Sequence, residues 1–443
     1  LVYVRFSPEF MAYTILPIAL WLLAILIDSF KSEKYISKKS WLIAFILSIV
    51  GGVFIISHNF AVLLLLPIIV MYAALKLWKE KIFAKEKLML IVFVFVSFIG
   101  IGSFFVGPML LEKKFVRLDT MRTMDYRDHF PTFSQLIRSK WDYGNSLPGT
   151  DRDGMSFMLG YSQWLVLGFS TVFLLMYFLK RRKKSFPFEI TFWFLFSCLS
   201  VFLILPWSKF IWERIKILQD IQFSWRFLGV TSFTVAALVG FLLSEIKNKK
   251  LFYLLSVILL SIAFYGNRNH LRIQPTPYPQ KYIDYEKNHD HRYATTSIFD
   301  DILNKESAML CMPSYEISVY FAPPIKDIVL KTQRGNTFGK VNINTKYDSQ
   351  TGMHLSLEYF PGIYKIKMNN QGLSDLKNCQ GRVCFESVRL HKGENILEWK
   401  IVQSPIERIF NWISLSFLAI WLIVLSFFEG IPPLPSDSEG RSE

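Results

Sequence analysis

Nine stretches of this chain are apolar with almost no charge inside them. They run from Phe10 to Ile27, Trp41 to Ile56, Phe60 to Leu77, Leu88 to Leu111, Trp164 to Leu179, Thr191 to Pro206, Phe227 to Leu243, Leu251 to Phe264 and Ile409 to Phe428. A bilayer core about 30 Å thick takes roughly 20 residues of helix. The second, fifth and eighth stretches are short, and Trp41 and Trp164 stand where interfacial anchors belong. Lipid offers no partners to backbone polar groups, so helices are the expected spanning form. The pattern predicts a polytopic α-helical membrane protein of about nine transmembrane helices. Eight of them form a bundle over residues 1–264, and the last covers 409–428.

Between the eighth and ninth stretches the period changes. ISVYFA, DIVLKT, KVNINTKY, HLSLEYF, IYKIKM and NILEWKIV alternate or are β-branched at strand length. Turn signals at Pro361-Gly362 and Asn370-Gln371-Gly372 separate them. Residues 265–408 therefore read as a mainly-β domain, a small sandwich before the last helix, entered through a helical stretch from Ser297 to Lys305. The tail 429–443, rich in Pro, Ser, Asp and Glu, reads as disordered.

The chain is 52% hydrophobic and 19% charged. That excludes a single soluble globular enzyme and a disordered chain. The net charge of +15 suggests nucleic acid at first sight. No polar segment carries a basic stripe with interleaved aromatics, so no nucleic-acid partner is expected. The lysines and arginines lie instead in alternate loops: SFKSEKYISKKS, KLWKEKIFAKEK, KRRKK and EIKNKK. Positive loops mark the cytoplasm. One orientation satisfies them all, with the N-terminus outside and the C-terminal tail cytoplasmic; Arg5 alone opposes it. Loops 112–163 and 207–226 and the β domain are then extracytoplasmic, in a multi-pass cell-membrane protein.

Four cysteines are too few for a disulfide scaffold. Cys198, inside an apolar stretch, reads as a core thiol. Cys379 and Cys384 bracket a turn-like Gln-Gly-Arg-Val, and outside the cytoplasm thiols oxidise. A hairpin would bring this pair within disulfide reach, with Cys311 as the rival partner for either.

The candidate chemistry lies in the outer loops. WSKFIWERIKILQDIQFSWR, from Trp207 to Arg226, reads as an amphipathic surface helix with Ile211, Ile215 and Leu218 on one face and Trp212 beside them. Trp225 and Arg226 end it. Arg226 is either a snorkelling anchor or a guanidinium holding two phosphate oxygens of a lipid headgroup. His58 and Asn59, at the tip of the hairpin between the second and third spans, are either its cap or a polar contact for the same headgroup. Phe133, Leu136, Ile137 and Trp141 form a second surface stripe. Asp119, Asp125 and Asp128, with His129, are the densest outer acid cluster, and a sugar transfer needs a carboxylate base. They compete for that role with simple salt bridges to Arg122 and Arg127. Asp151 and Asp153 read as a turn, and His289 and His291 as loop histidines. No Gly-rich phosphate loop, CxxC pair or HExxH motif appears. No metal ligand set and no cofactor is called for, although a divalent metal stays open.

Several strings carry a resemblance. YVRFSPEFMAYTILPIALWL, HNFAVLLLLPI, the W-x-Y-G-x-S-x-P-G run with DGMSFMLG, IQFSWRFLG and TTSIFDDIL resemble membrane proteins catalogued as "6-pyruvoyl-tetrahydropterin synthase related". LEYFPGIYKIKM and KGENILEWKIVQSPIERIFNWISL resemble the end of YfhO-like membrane proteins. Both groups look like relatives of the GT-C superfamily of polytopic glycosyltransferases. The resemblance implies transfer of a sugar from a polyprenyl-phosphate carrier to a cell-envelope acceptor on the outer face. It implies the bilayer and a polyprenyl-phosphate-linked sugar as partners. It also implies a catalytic acid in a first outer loop preceding Val2-Tyr3-Val4-Arg5, so that this chain is a fragment. The pterin synthase activity in the catalogue name needs a zinc-binding histidine cluster that this sequence lacks. The alternative is a non-catalytic envelope membrane protein that binds or presents a lipid-linked glycan. A transporter fits less well, since no charge stands mid-span and no inverted repeat is visible.

Overall fold

The computed structural model describes residues 8–32, 35–115, 125–139, 146–147, 153–179, 187–268, 319–325, 328–334 and 337–429. They fall into two compact units: 8–102, 125–268 and 417–429 form the first, and 103–115 and 319–416 the second. Asp119, Trp141, Asp151, Cys311, His289, His291, the 297–305 stretch and the 430–443 tail lie outside the described residues.

The first unit is helical: α1 (Pro8–Ser32), α2 (Lys38–Ser57), α3 (Asn59–Lys79), α4 (Lys85–Ile101), α7 (Tyr161–Leu179), α8 (Phe188–Ile204), α11 (Phe227–Ser244) and α12 (Lys249–Gly266). The second unit begins with α5 (Ser103–Glu112). A last helix, α13 (Pro405–Glu429), gives 405–416 to the second unit and 417–429 to the first. Among the described residues seven helices are long and apolar enough to cross a membrane, or up to nine if each of two bent pairs is one span. One expected span, Leu88 to Leu111, is divided, because α4 ends at Ile101 with Gly102 as its cap and α5 begins at Ser103. The other bend, 89°, follows α8. Leu205 is extended there because it precedes Pro206.

The charged end of this unit is held by ion pairs. Lys76 Nζ stands 3.4 Å from Asp28 and 3.8 Å from Glu189. Lys31 pairs with Asp28 at 3.2 Å and with Glu80 at 2.9 Å. Tyr72 donates to Glu189, Lys87 donates to the Phe30 carbonyl at 2.7 Å, and the hydroxyls of Ser29 and Ser40 meet at 2.8 Å. The last turns of α1 and α3 and the first turns of α2, α4 and α8 thus share one end. All these termini adjoin the Lys/Arg-rich loops.

The segment after that bend does not form the single amphipathic helix expected. It makes two short helices, α9 (Lys209–Arg214) and α10 (Lys216–Gln219), then a 3-10 turn over Ser224–Arg226. Ile215 is extended between them (φ −106°, ψ 93°), which resets the helical period. Trp212 is fully buried while Ile215 and Ile217 are exposed. The expected stripe at Phe133 is likewise one short helix, α6 (Phe133–Ile137), with Leu136 buried and Phe133 and Ile137 exposed.

In the second unit nine strands form two antiparallel sheets, ordered β1-β4-β8-β7 and β2-β3-β9-β5-β6. The strands are β1 (Val319–Ala322), β2 (Val329–Arg334), β3 (Phe338–Thr345), β4 (Ser349–Glu358), β5 (Tyr364–Met368), β6 (Gln371–Gly372), β7 (Lys377–Cys379), β8 (Arg382–Leu390) and β9 (Gly393–Ile401). Alternation turns Val341, Ile343, Met353, Leu355, Phe385, Leu397 and Trp399 into one core shared by both sheets. The turn expected at 370–372 sits one residue earlier, at Asn369-Asn370, both with positive φ. Ser404 and Glu407 then start α13 as a capping box: Ser404 Oγ accepts from the Glu407 amide at 3.0 Å, and Glu407 accepts from the Ser404 amide at 2.8 Å. Ser404 Oγ donates to Glu112 of α5, and Phe115 meets Phe360 edge-on.

Candidate functional site

The other end of the helical unit carries a cavity. Its floor is the entry to α11. Gln222 takes a left-handed conformation (φ 67°) and Phe223 an extended one, so the chain turns sharply before Ser224. Ser224 Oγ, fully buried, lies 3.0 Å from both the His129 and Ile204 carbonyl oxygens and donates between them. That hydroxyl ties the 125–139 loop and the end of α8 to the start of α11.

The next two residues face the cavity. Trp225 stacks on Phe223, ring centres 5.0 Å apart, and its buried indole N–H has no hydrogen-bond partner. The Arg226 guanidinium lies 4.2 Å above the Phe60 ring and 5.3 Å from Phe223. It donates to the Ile221 carbonyl at 2.6 Å. The side chain is held against a backbone acceptor and two aromatic rings, the geometry that a planar cation favours.

The cavity measures about 500 Å³. Tyr13 of α1, Ser156 in the segment before α7, Ser162 and Gln163 at the start of α7, Ser232 and Phe233 of α11, and Ala263 and Asn267 at the end of α12 complete it around Trp225 and Arg226. Gly229 permits the close approach of α1, because a Cβ there would strike the Tyr13 hydroxyl. Arg226 is the only Lys or Arg, and no Asp or Glu stands, among the described lining residues. The pocket thus offers one fixed positive charge, an unpartnered N–H and several neutral polar groups above an apolar wall, a combination suited to an anionic headgroup with an apolar tail.

The residues singled out from sequence separate here. Trp225 and Arg226 share the cavity. His58 and Asn59 do not line it. His58 caps α3, its Nδ1 accepting from the Ala61 amide at 3.3 Å, and its ring lies 5.7 Å from Phe60. Asn59 is exposed in the first turn of α3. Asp125 caps the 3-10 turn Tyr126–Asp128 by accepting from the Arg127 amide at 3.0 Å, and it pairs with the same guanidinium at 3.3 Å. Asp128 is exposed, and Asp119 lies outside the described residues. Asp153 accepts from Gln135 and from the Leu147 amide, each at 3.1 Å, and so staples the loop. His129 is buried, bonded through Nδ1 to Ser146 Oγ at 2.8 Å. Burial pushes its imidazole below the ordinary histidine range, against the opposing pull of Asp128, Asp153 and Asp125. In the second unit, Cys379 and Cys384 form a disulfide with Cα atoms 5.9 Å apart.

Sequence reading missed Phe60, Tyr13, Gln163 and Asn267. Phe60 left a signal, since it directly follows the His-Asn pair. The others reach the cavity only through packing of helices distant in sequence. No protein-family model, curated protein or solved structure matches the chain.

Proposed function

We propose that the helical unit spans a cell membrane with the ion-paired end in the cytoplasm and the cavity on the outer side. The Lys/Arg-rich loops supply that orientation. In this reading the chain is GT-C-like, related to the "6-pyruvoyl-tetrahydropterin synthase related" and YfhO-like membrane proteins, and its β unit is extracytoplasmic. It is a glycosyltransferase that moves a sugar from a polyprenyl-phosphate carrier to an envelope acceptor. The observation that carries it is Arg226, a held guanidinium on a cavity of about 500 Å³ at the head of an apolar helix. A carrier phosphate there would accept from the guanidinium and from the Trp225 indole N–H, while the sugar meets Ser156, Gln163 and Asn267 and the isoprenoid runs along the apolar wall.

One observation favours the second reading, a non-catalytic protein that binds or presents the lipid-linked glycan. No carboxylate stands among the described residues of the cavity, and a transfer needs a base to take the acceptor's proton.

The test is polyprenyl-phosphate binding and sugar turnover by the protein in nanodiscs. Arg226→Lys keeps the charge but loses the fork, and it should weaken carrier binding by roughly tenfold. Arg226→Ala should be no milder, and the yield of monodisperse protein should be unchanged. Wild-type binding by Arg226→Lys would reduce Arg226 to a snorkelling anchor. Binding without turnover by the intact protein, given a labelled carrier sugar and envelope acceptors, selects the second reading.

A further inference from the structure

The face of the four-stranded sheet that points away from the core holds a compact set of soft ligands. Val319, Met353, Leu355, Val383 and Phe385 point into the core. Their neighbours Tyr320, His354 and Cys384, aligned across β1, β4 and β8, therefore point the other way. β7 and β8 form a hairpin closed by Gln380 and Gly381, with φ of 53° and 82°, the left-handed pair of a type I′ turn. Cys379 opposes Arg382, so its side chain shares the face of Cys384 two residues on. As a result an imidazole nitrogen of His354 and the sulfurs of Cys379 and Cys384 all lie within 4.8 Å of one another.

We propose that this triad is a redox-gated metal site. With the Cys379–Cys384 bond reduced by a dithiol, two thiolates and the His354 imidazole take up one Zn²⁺ ion. Zinc binds sulfur at about 2.3 Å and imidazole nitrogen at about 2.0–2.1 Å, with four ligands in a tetrahedron. Ligand atoms then stand roughly 3.5–3.8 Å apart, so the imidazole needs little movement, and the two sulfurs, now bonded to each other, separate on reduction. The backbone ladder and the turn, rather than the S–S bond alone, hold the three Cα positions, so reduction leaves the ligands on their rails. Three protein ligands leave the fourth position to water or a further ligand, the pattern of an open zinc site. Lys377 stands across from Cys384 and is ion-paired to Glu386, which fixes this part of the hairpin beside the ligands.

The balance is simple. The dithiol gives two electrons and two protons to the protein disulfide and becomes a disulfide itself, leaving two thiols. Zinc then displaces the two thiol protons and forms two Zn–S bonds and one Zn–N bond. In the oxidised state the sulfurs are joined to each other and cannot serve as anionic ligands. Metal uptake would thus report the redox state around the β unit. Cys379 is partly exposed, so a dithiol can reach it.

The test uses the full chain in detergent, reduced with dithiothreitol, desalted without oxygen and titrated with Co²⁺ and then Zn²⁺. One equivalent of Co²⁺ should bind with a thiolate charge-transfer band, which Zn²⁺ should bleach. The oxidised chain should show no band. His354→Ala should weaken Zn²⁺ binding by roughly tenfold or more, and Cys379→Ser should abolish the thiolate band. A Cys198→Ser, Cys311→Ser double variant should bind like wild type. Three results would each overturn the site: no band in the reduced chain, unchanged affinity in His354→Ala, or loss of binding in the double variant with its size-exclusion profile intact. If Cys379→Ser does not fold, the His354→Ala titration decides alone.

Discussion

At one end of the helical unit, Lys76, Lys31, Asp28, Glu80 and Glu189 are paired across three helices. At the other, the single cation facing the cavity, Arg226, rests on an aromatic ring and a carbonyl, with no carboxylate among the described lining residues. The same helices run between both ends. Mutual neutralisation leaves the first end closed and little suited to an anionic guest. At the second end the cation is held against an aromatic face and a backbone carbonyl at the cavity wall. Aromatic packing supports that second end where ion pairs support the first. Trp212 stacks on Tyr126 at 5.7 Å, meets Phe227 at 6.0 Å and donates its indole N–H to Leu203.

If the contrast holds, the largest effect belongs to Trp212→Ala. Loss of a fully buried indole should cost about 3–5 kcal/mol. It should also unseat the 125–139 loop, seen as a lowered melting temperature and faster proteolysis at that loop. An unchanged melting temperature would mean that the aromatic cluster is not what supports this end. Next comes Lys76→Met. It leaves the half-buried Glu189 without its ion-pair partner, and should cost about 1–3 kcal/mol. Adding Glu189→Gln should recover most of that loss, because the stranded charge is then gone. Failure to recover would show that Lys76 acts through packing of its stem. Carrier binding at the far end should be unaffected in both variants.

The smallest effect is titration of His129. Its folded-state affinity for a proton is lowered by burial, so the unfolded chain binds more protons just below the ordinary histidine value of about 6.5. Stability should be full above that pH and decline as the pH falls from about 6.5 toward the lowered value. His129→Gln should flatten the melting temperature between pH 7.5 and 5. A flat wild-type profile would mean that Asp125, Asp128 and Asp153 cancel the effect of burial.

The apolar helices were legible because hydropathy is local. So were the six strands that show period-two alternation, and the hairpin that brackets Gln380 and Gly381. The breaks were harder. Gly102 and Pro206 interrupt otherwise uniform apolar runs, and only the pre-proline restriction at Leu205 signals the second. The amphipathic reading of 207–226 failed because it assumed one helical period across Ile215. At the site, Trp225 and Arg226 were visible from their place before an apolar stretch. His58 was read with two roles open, and the bond to Ala61 makes it a cap. The ring beneath Arg226 was not foreseen, since nothing in a sequence tells which aromatic will lie under which cation.

The cavity walls come from Tyr13 near the start of the helical unit and Asn267 at the end of α12. During synthesis a chain made only as far as α8 lacks the floor, and one made through α11 still lacks a wall. The ion-paired end needs no more than the first turn of α8. Synthesis from the N-terminus therefore closes this protein at one end well before the cavity at the other is complete.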